Sequence, residues 1–506
     1  YNNPDALLVL LLTAAAYATV RAVEAARPRW LMLAGALIGF AFLTKMLQGL
    51  LVVPAFAVAY LVAAPTTVGK RVWHTLAAGA AMLVAGGWWV ALVELWPAGS
   101  RPYIGGSTNN NVLELVLGYN GIGRLTGSDN NGNVTGAGGG FSSGQTGLFR
   151  LFGVDMGTQI AWLLPAALVA TAALAWLTAR RPRTDALRAS AIVWGGWLVV
   201  TALVLSFASG IIHPYYTVAL APAIAALVGI GVVELWRARA TDLARWALAT
   251  LVAGTAVCAY VLLGRASWHP ELRWIVILAG ALATAAVLAG SRVKALVVAP
   301  LIVSTLLVAP TAYALQTAAS PHTGALPTAG PSASGGFGGG GGGRAGGGLR
   351  GGAGGFAPGG NAAQGGNAAP GGAGRGAGGR GGMGGLGGDT TVSSALQSAL
   401  QANAGDYTWT AATTSDNEAA SLELATGTSV MSLGGYNGTD NAITLAQFQK
   451  LVADGQVHYY VADGQGFIGS TAANTSTAYA IQQWVSTTFA AQTIGTSTVY
   501  DLTSTG

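Results

Sequence analysis

The chain has 506 residues, 52% of them hydrophobic and only 9% charged, with a mean hydropathy of +0.50 and a formal net charge of +6. Soluble domains carry about 25% charged residues, so this composition excludes an ordinary water-soluble protein, and the long uninterrupted apolar runs point to transmembrane helices. The basic residues lie in short clusters between those runs, the pattern of topogenic charge and not of a phosphate-tracking stripe, so nucleic acid is not an expected partner.

In chain order, ten apolar spans are predicted, at 6–20, 30–44, 47–64, 74–95, 158–177, 189–209, 215–235, 246–264, 273–290 and 295–315. The first two are shorter than the usual ~20 residues. Connections 21–29, 65–73, 178–188, 236–245 and 291–294 carry Arg21, Arg27, Arg29, Lys70, Arg71, Arg180, Arg181, Arg183, Arg188, Arg237, Arg239, Arg245, Arg292 and Lys294. The alternate connections are poorer in basic residues; the long 96–157 segment has only Arg101, Arg124 and Arg150. By the positive-inside rule the first set is cytoplasmic and the second outside, with both chain ends outside; Arg265 and Arg273 run mildly against this. The chain opens at Tyr1 with neither Met nor a signal-peptide pattern, and is expected to be a fragment or a processed product. Cys258 sits inside an apolar run and reads as a small core residue with no disulfide partner.

Segment 96–157 mixes "STNNN" and "GSDNNGNVTGAGGGFSSG" with Tyr103, Tyr119 and Phe141. It is expected to cover a pocket and select an acceptor, with Arg101 and Tyr103 as substrate contacts; 126–146 reads nearly as well as a disordered insert. After the membrane region (1–320) comes a Gly-dominated stretch, assigned to a linker over 321–388. It buries too little apolar surface to offset its ordering entropy and is expected to be a flexible tether, its ends roughly 40–50 Å apart. Residues 389–506 have soluble composition and read as a small extracytoplasmic α/β domain. "SDNEAASLELATG" and "TLAQFQKLVADG" are predicted helices with Ser415 and Thr444 as N-caps and Gly427 and Gly455 as stops; "TSVMSL", "VHYYVA" and "STVYDL" are predicted strands. His458 reads as a strand residue. Asn133, Asn437 and Asn474 head Asn-x-Ser/Thr triplets, which matter only in a host that glycosylates them.

The predicted topology collects the unusual polar residues on one side. Asp5 lies at the outer mouth of the first span in "YNNPDALL", Lys45 at the outer turn in "FLTKMLQG", and His213, Tyr215 and Tyr216 at the outer turn in "HPYYTVAL". Each has a plain reading: Asp5 as a helix cap, Lys45 as a snorkelling side chain, the His-Pro-Tyr-Tyr knot as a turn in the aromatic belt. Together they suit a site, because ionisable groups at membrane depth are costly. Lysine and histidine would neutralise charge on a departing phosphate, directly or through a metal. A carboxylate would take a hydroxyl proton, and aromatic rings would pack on a sugar. A transporter, the third reading, would need polar or broken helices at the midplane, of which these spans are nearly free; Glu94 and Glu234 lie at span ends.

"NNPDALLVLLL", "GFAFLTKMLQGLLVVPAF", "RPYIGGSTNNNVLELVLGYNGIGRLTG" and "HPYYTVALAPAIAALVGIG" resemble the family 39 glycosyltransferases. These are the protein O-mannosyltransferase and aminoarabinose-transferase relatives of the GT-C superfamily, and the resemblance is to the ArnT-like and YkcA/YkcB-type bacterial members. It covers about residues 1–320, and "LATGTSVMSLGGYNGTDNAITLAQFQKLVADGQVHYYVA" is similar to the C-terminal domain of the same group. The resemblance implies a multi-pass cell-membrane enzyme with a GT-C-like helical bundle. It further implies a polyprenyl-phosphate-linked hexose donor, mannose or a related sugar, with inverting transfer at the outer face to a protein, lipid or envelope glycan. A divalent metal (Mg, Mn or Zn) serves some members, with His213 as its ligand here. Asp5 resembles a functional aspartate of the family, Lys45 the lysine of its Thr-Lys-Gly-type motif (Met46 stands for the glycine), and His213 with Tyr215 the basic-aromatic pair before "Leu-Pro-x-x-Pro", of which Ala221-Pro222 remains. The family's leading carboxylate lies in a first outer loop with no counterpart here, so an incomplete enzyme with missing spans is expected. The competing reading is a non-catalytic membrane scaffold whose C-terminal domain binds a cell-envelope partner or glycan.

Overall fold

The computed structural model describes residues 3–107, 109–127, 145–266, 268–320, 327–331, 392–436, 438–462 and 476–504. Most of the tether, most of the 126–146 insert with Phe141, and the three Asn-x-Ser/Thr sites lie outside the described residues, as does the side chain of Tyr119.

The membrane region is a bundle of helices: α1 (Asp5–Ala25), α2 (Pro28–Lys45), α3 (Val53–Ala63), α4 (Val68–Leu95), the one-turn α5 (Gly123–Thr126), α6 (Val154–Ile160), α7 (Leu164–Thr178), α8 (Ala186–Phe207), α9 (Ala221–Arg237), α10 (Asp242–Ala266), α11 (Pro270–Ala289) and α12 (Ala295–Ala319). Among the described residues nine helical spans are long and apolar enough to cross a membrane, against ten expected. The difference lies at 47–64. There Met46 (φ 42°) ends α2, and a 3₁₀ turn (Met46–Leu50) folds back against Ala41, leaving only the 11 residues of α3. The turn at ~2.0 Å per residue and α3 at ~1.5 Å reach roughly 27 Å together, close to the ~30 Å apolar core, so Met46–Ala63 still carries the chain across.

Lipid tails offer no hydrophobic gain for helix association, so the helices meet through small residues. Ala15, Ala16, Ala59, Ala63, Ala166, Ala167 and Ala170 are fully buried, whereas Leu10, Leu83, Val84 and Leu95 face outward. At the α2–α4 crossing, a Cβ on Gly35 would lie 2.1 Å from the Ala78 carbonyl oxygen, and one on Gly39 2.5 Å from that of Met82. Gly39→Leu is therefore expected to force the two helices apart and cost more than ~2 kcal/mol of bundle stability. Gly79→Leu, on the facing helix α4, meets nothing within 4 Å and should be near neutral; thermal unfolding in detergent compares them.

The basic connections meet at one end. Arg183 donates to the carbonyls of Val62 (3.1 Å) and Ala64 (2.8 Å), and Arg71 to that of Leu61. At the other end lie the start of α1, the end of α2 and the His213 turn. Helix α12 also finishes there, and the chain after it folds back on the bundle: Gln159 holds Ala329 through both its backbone groups (2.8 and 3.0 Å), and the Gly330 N–H donates to Thr317 Oγ1 at 2.9 Å.

The small domain is a five-stranded sheet: β1 (Trp409–Thr413), β2 (Val430–Ser432), β3 (Val457–Val461), β4 (Ala491–Ile494) and β5 (Ser497–Asp501), in the order β2-β1-β3-β5-β4. β1 is parallel to β2 and β3, and β5 is antiparallel to β3 and β4. Of its helices, α13 (Ser394–Gln401) and α14 (Asp416–Thr426) cover one face around Leu396, Leu400 and Leu422. The helices α15 (Leu445–Ala453) and α16 (Thr477–Thr488) cover the other around Phe448, Ile481 and Val485. The caps are those expected: Ser415 accepts from the Glu418 N–H, Thr444 and Gln447 form a reciprocal capping box, and Gly427 and Gly455 take positive φ of 68°.

Candidate functional site

The N-terminus of α1 places Asp5, whose N–H donates to Asn3 Oδ1 at 2.9 Å. Lys45 is the last residue of α2, and Met46 (φ 42°) turns the chain away behind it. A carboxylate at a helix N-terminus and an ammonium at a C-terminus both suit the helix dipoles. Lys45 Nζ lies 2.6 Å from both carboxylate oxygens of Asp5, with side-chain exposures of only 16% and 8%. Above the ammonium stand the rings of Tyr216 (4.0 Å to the centroid) and Tyr215 (4.7 Å). The two rings meet edge to face at 4.9 Å, and the His213 imidazole stacks on Tyr215 at 5.5 Å and 6°. Pro214 fixes this knot by opening a 3₁₀ turn (Pro214–Leu220) that leads into α9, and Gln48 binds its backbone at the Tyr216 carbonyl (3.3 Å).

Five of the residues singled out in the sequence thus share one place: Asp5, Lys45, His213, Tyr215 and Tyr216. The other two do not join them. Arg101 donates to the carbonyls of Val93 and Trp96, closing the C-terminal end of α4, and to that of Asn110. The Tyr103 hydroxyl donates to the Ser107 carbonyl and meets the Asn441 backbone of the small domain.

Two residues not singled out do join. Arg124, on α5, donates to the Ile211 carbonyl at 2.8 Å and is a charged neighbour of both Lys45 and His213. Asn120 reaches Met46 Sδ at 3.5 Å. Gly121 makes this approach possible, since a Cβ there would lie 2.3 Å from the Val116 carbonyl oxygen and 3.0 Å from Leu47 Cδ1. The only signal in the sequence was their place in "GYNGIGRLTG", an Asn and an Arg four residues apart amid glycines.

Asp5 and Lys45 cancel, and Arg124 leaves one positive charge over. Burial first, then the charges of Arg124 and Lys45, push the His213 imidazole, just ahead of the Pro214 span, down to about 4, so it is neutral at pH 7. A net positive cluster beside aromatic rings suits a phosphate carrying a sugar. It does not suit a divalent metal. Asp5 is engaged by Lys45, two cations flank His213, and among the described residues no three His, Cys, Asp or Glu side chains gather as ligands.

Residues 1–89 match the family described as "Dolichyl-phosphate-mannose-protein mannosyltransferase". A polytopic helical bundle whose first 89 residues match that family defines a membrane glycosyltransferase of the GT-C class. Residues 396–488 match "Putative mannosyltransferase YkcB-like, C-terminal". The chain is 30% identical to "Putative mannosyltransferase YkcB" of Bacillus subtilis (strain 168) across 92% of its own length and 71% of that relative. It is also 30% identical to "Putative mannosyltransferase YycA" of the same organism across 46% of its length and 44% of the relative. The chain belongs to the YkcB-type mannosyltransferases. No solved structure matches it.

Proposed function

We propose that the chain moves a hexose, mannose or a related sugar, from a polyprenyl-phosphate donor to an acceptor at the outer face of the cytoplasmic membrane, with inversion at the anomeric carbon. The observation that carries this is the Lys45–Asp5 pair beneath Tyr215 and Tyr216 with Arg124 alongside, at the end of the bundle opposite the basic connections. By the positive-inside rule that end faces out.

In this reading the donor phosphate takes Lys45 and Arg124 as its cations, which releases the Asp5 carboxylate from its lysine. An acceptor hydroxyl oxygen attacks the anomeric carbon as the bond from that carbon to the phosphate oxygen breaks. The electron pair stays on the phosphate, which leaves as polyprenyl phosphate, and Lys45 and Arg124 stabilise its growing charge. Asp5 receives the hydroxyl proton, His213 donates or accepts a hydrogen bond as a neutral imidazole, and the tyrosine rings hold the sugar.

The test supplies labelled polyprenyl-phosphate mannose, and separately the glucose analogue, to vesicles of both orientations carrying the protein. Label is expected to leave the lipid for one sugar and only when donor and acceptor reach the face bearing Asp5 and His213. Release from the opposite face, or label that never leaves the lipid, overturns the reading.

A further inference from the structure

The small domain touches the membrane region beside this site, and it does so with a particular edge. Asp440, 6% exposed, accepts a hydrogen bond from the Gly106 N–H at 2.8 Å, and its neighbour Asn441 meets the hydroxyl of Tyr103. Tyr436 lies within electrostatic range of Tyr215, the ring that stands over Lys45.

This contact comes from a loop built for a single shape. It follows β2, and its backbone is tied to the ends of β1 and α14: the Gly434 N–H donates to the Thr414 carbonyl, the Asp416 N–H to the Gly435 carbonyl, and Asn417 Nδ2 to the Tyr436 carbonyl (3.2 Å). Gly435 and Gly438 have φ of 68° and 83°. A Cβ on Gly435 would lie 2.2 Å from Asp440 Oδ2, and one on Gly438 2.8 Å from Thr414 Cγ2. The glycines bring the loop backbone close around the Asp440 carboxylate and Thr414, and Tyr436 of the same loop is 41% exposed.

The edge is also the one at which open α/β sheets hold ligands. After β1 the chain crosses to β2 on one side, and after β3 it passes to β4 and β5 on the other. The carboxyl ends of β1 and β3 therefore flank a topological switch point, where such sheets bind ligands. Thr414, at the end of β1, lies there with its hydroxyl 3.2 Å from that of Tyr460, against Gly438 of the same loop.

We propose that the small domain completes the sugar site. Asp440 latches its sheet edge onto the 103–107 turn, and Tyr436 offers an aromatic face to the hexose opposite Tyr215 and Tyr216. This rests on the donor reading above and adds to it the wall that recognises the sugar and not the lipid phosphate. A hexose has a C–H face that packs on such a ring and a rim of hydroxyls that Asn417 and Thr414 are placed to meet.

Two measurements test it, in protein carrying Cys258→Ala and a protease site in the Gly-rich segment. First, Gly105→Cys with Asp440→Cys is expected to form a disulfide that holds the fragments together after cleavage until reduced, since a Cβ on Gly105 lies 3.4 Å from Asp440 Oδ2. Fragments that separate without reductant overturn the docking. Second, binding of polyprenyl-phosphate mannose is compared with that of bare polyprenyl phosphate. Tyr436→Ala should weaken the sugar-bearing lipid about tenfold and leave the bare lipid unchanged, with Tyr436→Phe near wild type. Asp440→Ala should raise KM for the donor with little change in kcat, and Asp440→Asn, which still accepts from Gly106, should restore it. Equal binding of the sugar-bearing lipid by wild type and Tyr436→Ala, or equal weakening of both lipids, overturns the proposal while the donor reading stands. A wild-type protein that binds neither lipid overturns both, and does so even if the disulfide forms.

Discussion

Lys45→Ala is expected to lower kcat/KM for sugar transfer by at least about a thousandfold and to destabilise the bundle as well. Two effects add. Removing one positive donor from a growing anionic charge typically costs about 10²–10³ in rate. Asp5, only 8% exposed and 2.6 Å from Nζ, would also remain as an unpaired buried carboxylate, and breaking such a pair from one side costs about 3–5 kcal/mol. The contributions separate in a double replacement. Lys45→Met with Asp5→Leu removes both charges, so thermal stability in detergent should recover most of the loss while transfer stays absent. Lys45→Arg should keep the pairing with Asp5 and lose part of the rate, because a guanidinium is broader than the space 4.0 Å beneath Tyr216. Transfer by Lys45→Ala at half the wild-type rate would remove this lysine from the mechanism.

The pair was half legible in the sequence. A charge that interrupts an apolar run is conspicuous, and counting spans places Asp5, Lys45 and His213 at one end, although 40 residues separate the first two and 168 separate the second from the third. That Nζ meets both Asp5 oxygens is not readable from spacing, because it depends on how α1 and α2 pack through small residues. The span at 47–64 is less helical than expected for a related reason: hydropathy sees an apolar stretch and not the 3₁₀ turn that takes its first four residues. In the small domain, caps and alternating strands were visible. β1, "WTAAT", was not, because a strand covered on both faces loses its alternation, and here four of its five residues are buried. Arg124 and Tyr436 were the least accessible. Each sits in a glycine-rich stretch whose shape is set by close approaches, and Tyr436 comes within electrostatic range of Tyr215 from a different domain, more than 200 residues along the chain.

His213 offers the second large effect, and its sign follows from its surroundings. An imidazole held at about 4 in the folded protein, against 6.5 when free, is neutral in the folded state across physiological pH. The stability linked to it is complete above pH 6.5 and falls as pH drops from 6.5 through about 4, because protonation then favours the unfolded chain; the full loss is about 3 kcal/mol. His213→Gln, which keeps a neutral hydrogen-bonding group, should flatten that part of the stability profile and retain transfer to within about tenfold. His213→Ala, which removes both the hydrogen bond and the plate stacked on Tyr215, should lower transfer by about a hundredfold or more. His213→Lys should be worse still, since a third cation would stand beside Lys45 and Arg124. A transfer rate that falls through a midpoint near 6.5, and loses that midpoint in His213→Gln, would mean that the imidazole takes up its proton as it does in water and that the two neighbouring charges do not reach it. Full transfer by His213→Ala with normal insertion would leave the residue as a turn in front of Pro214 and nothing more.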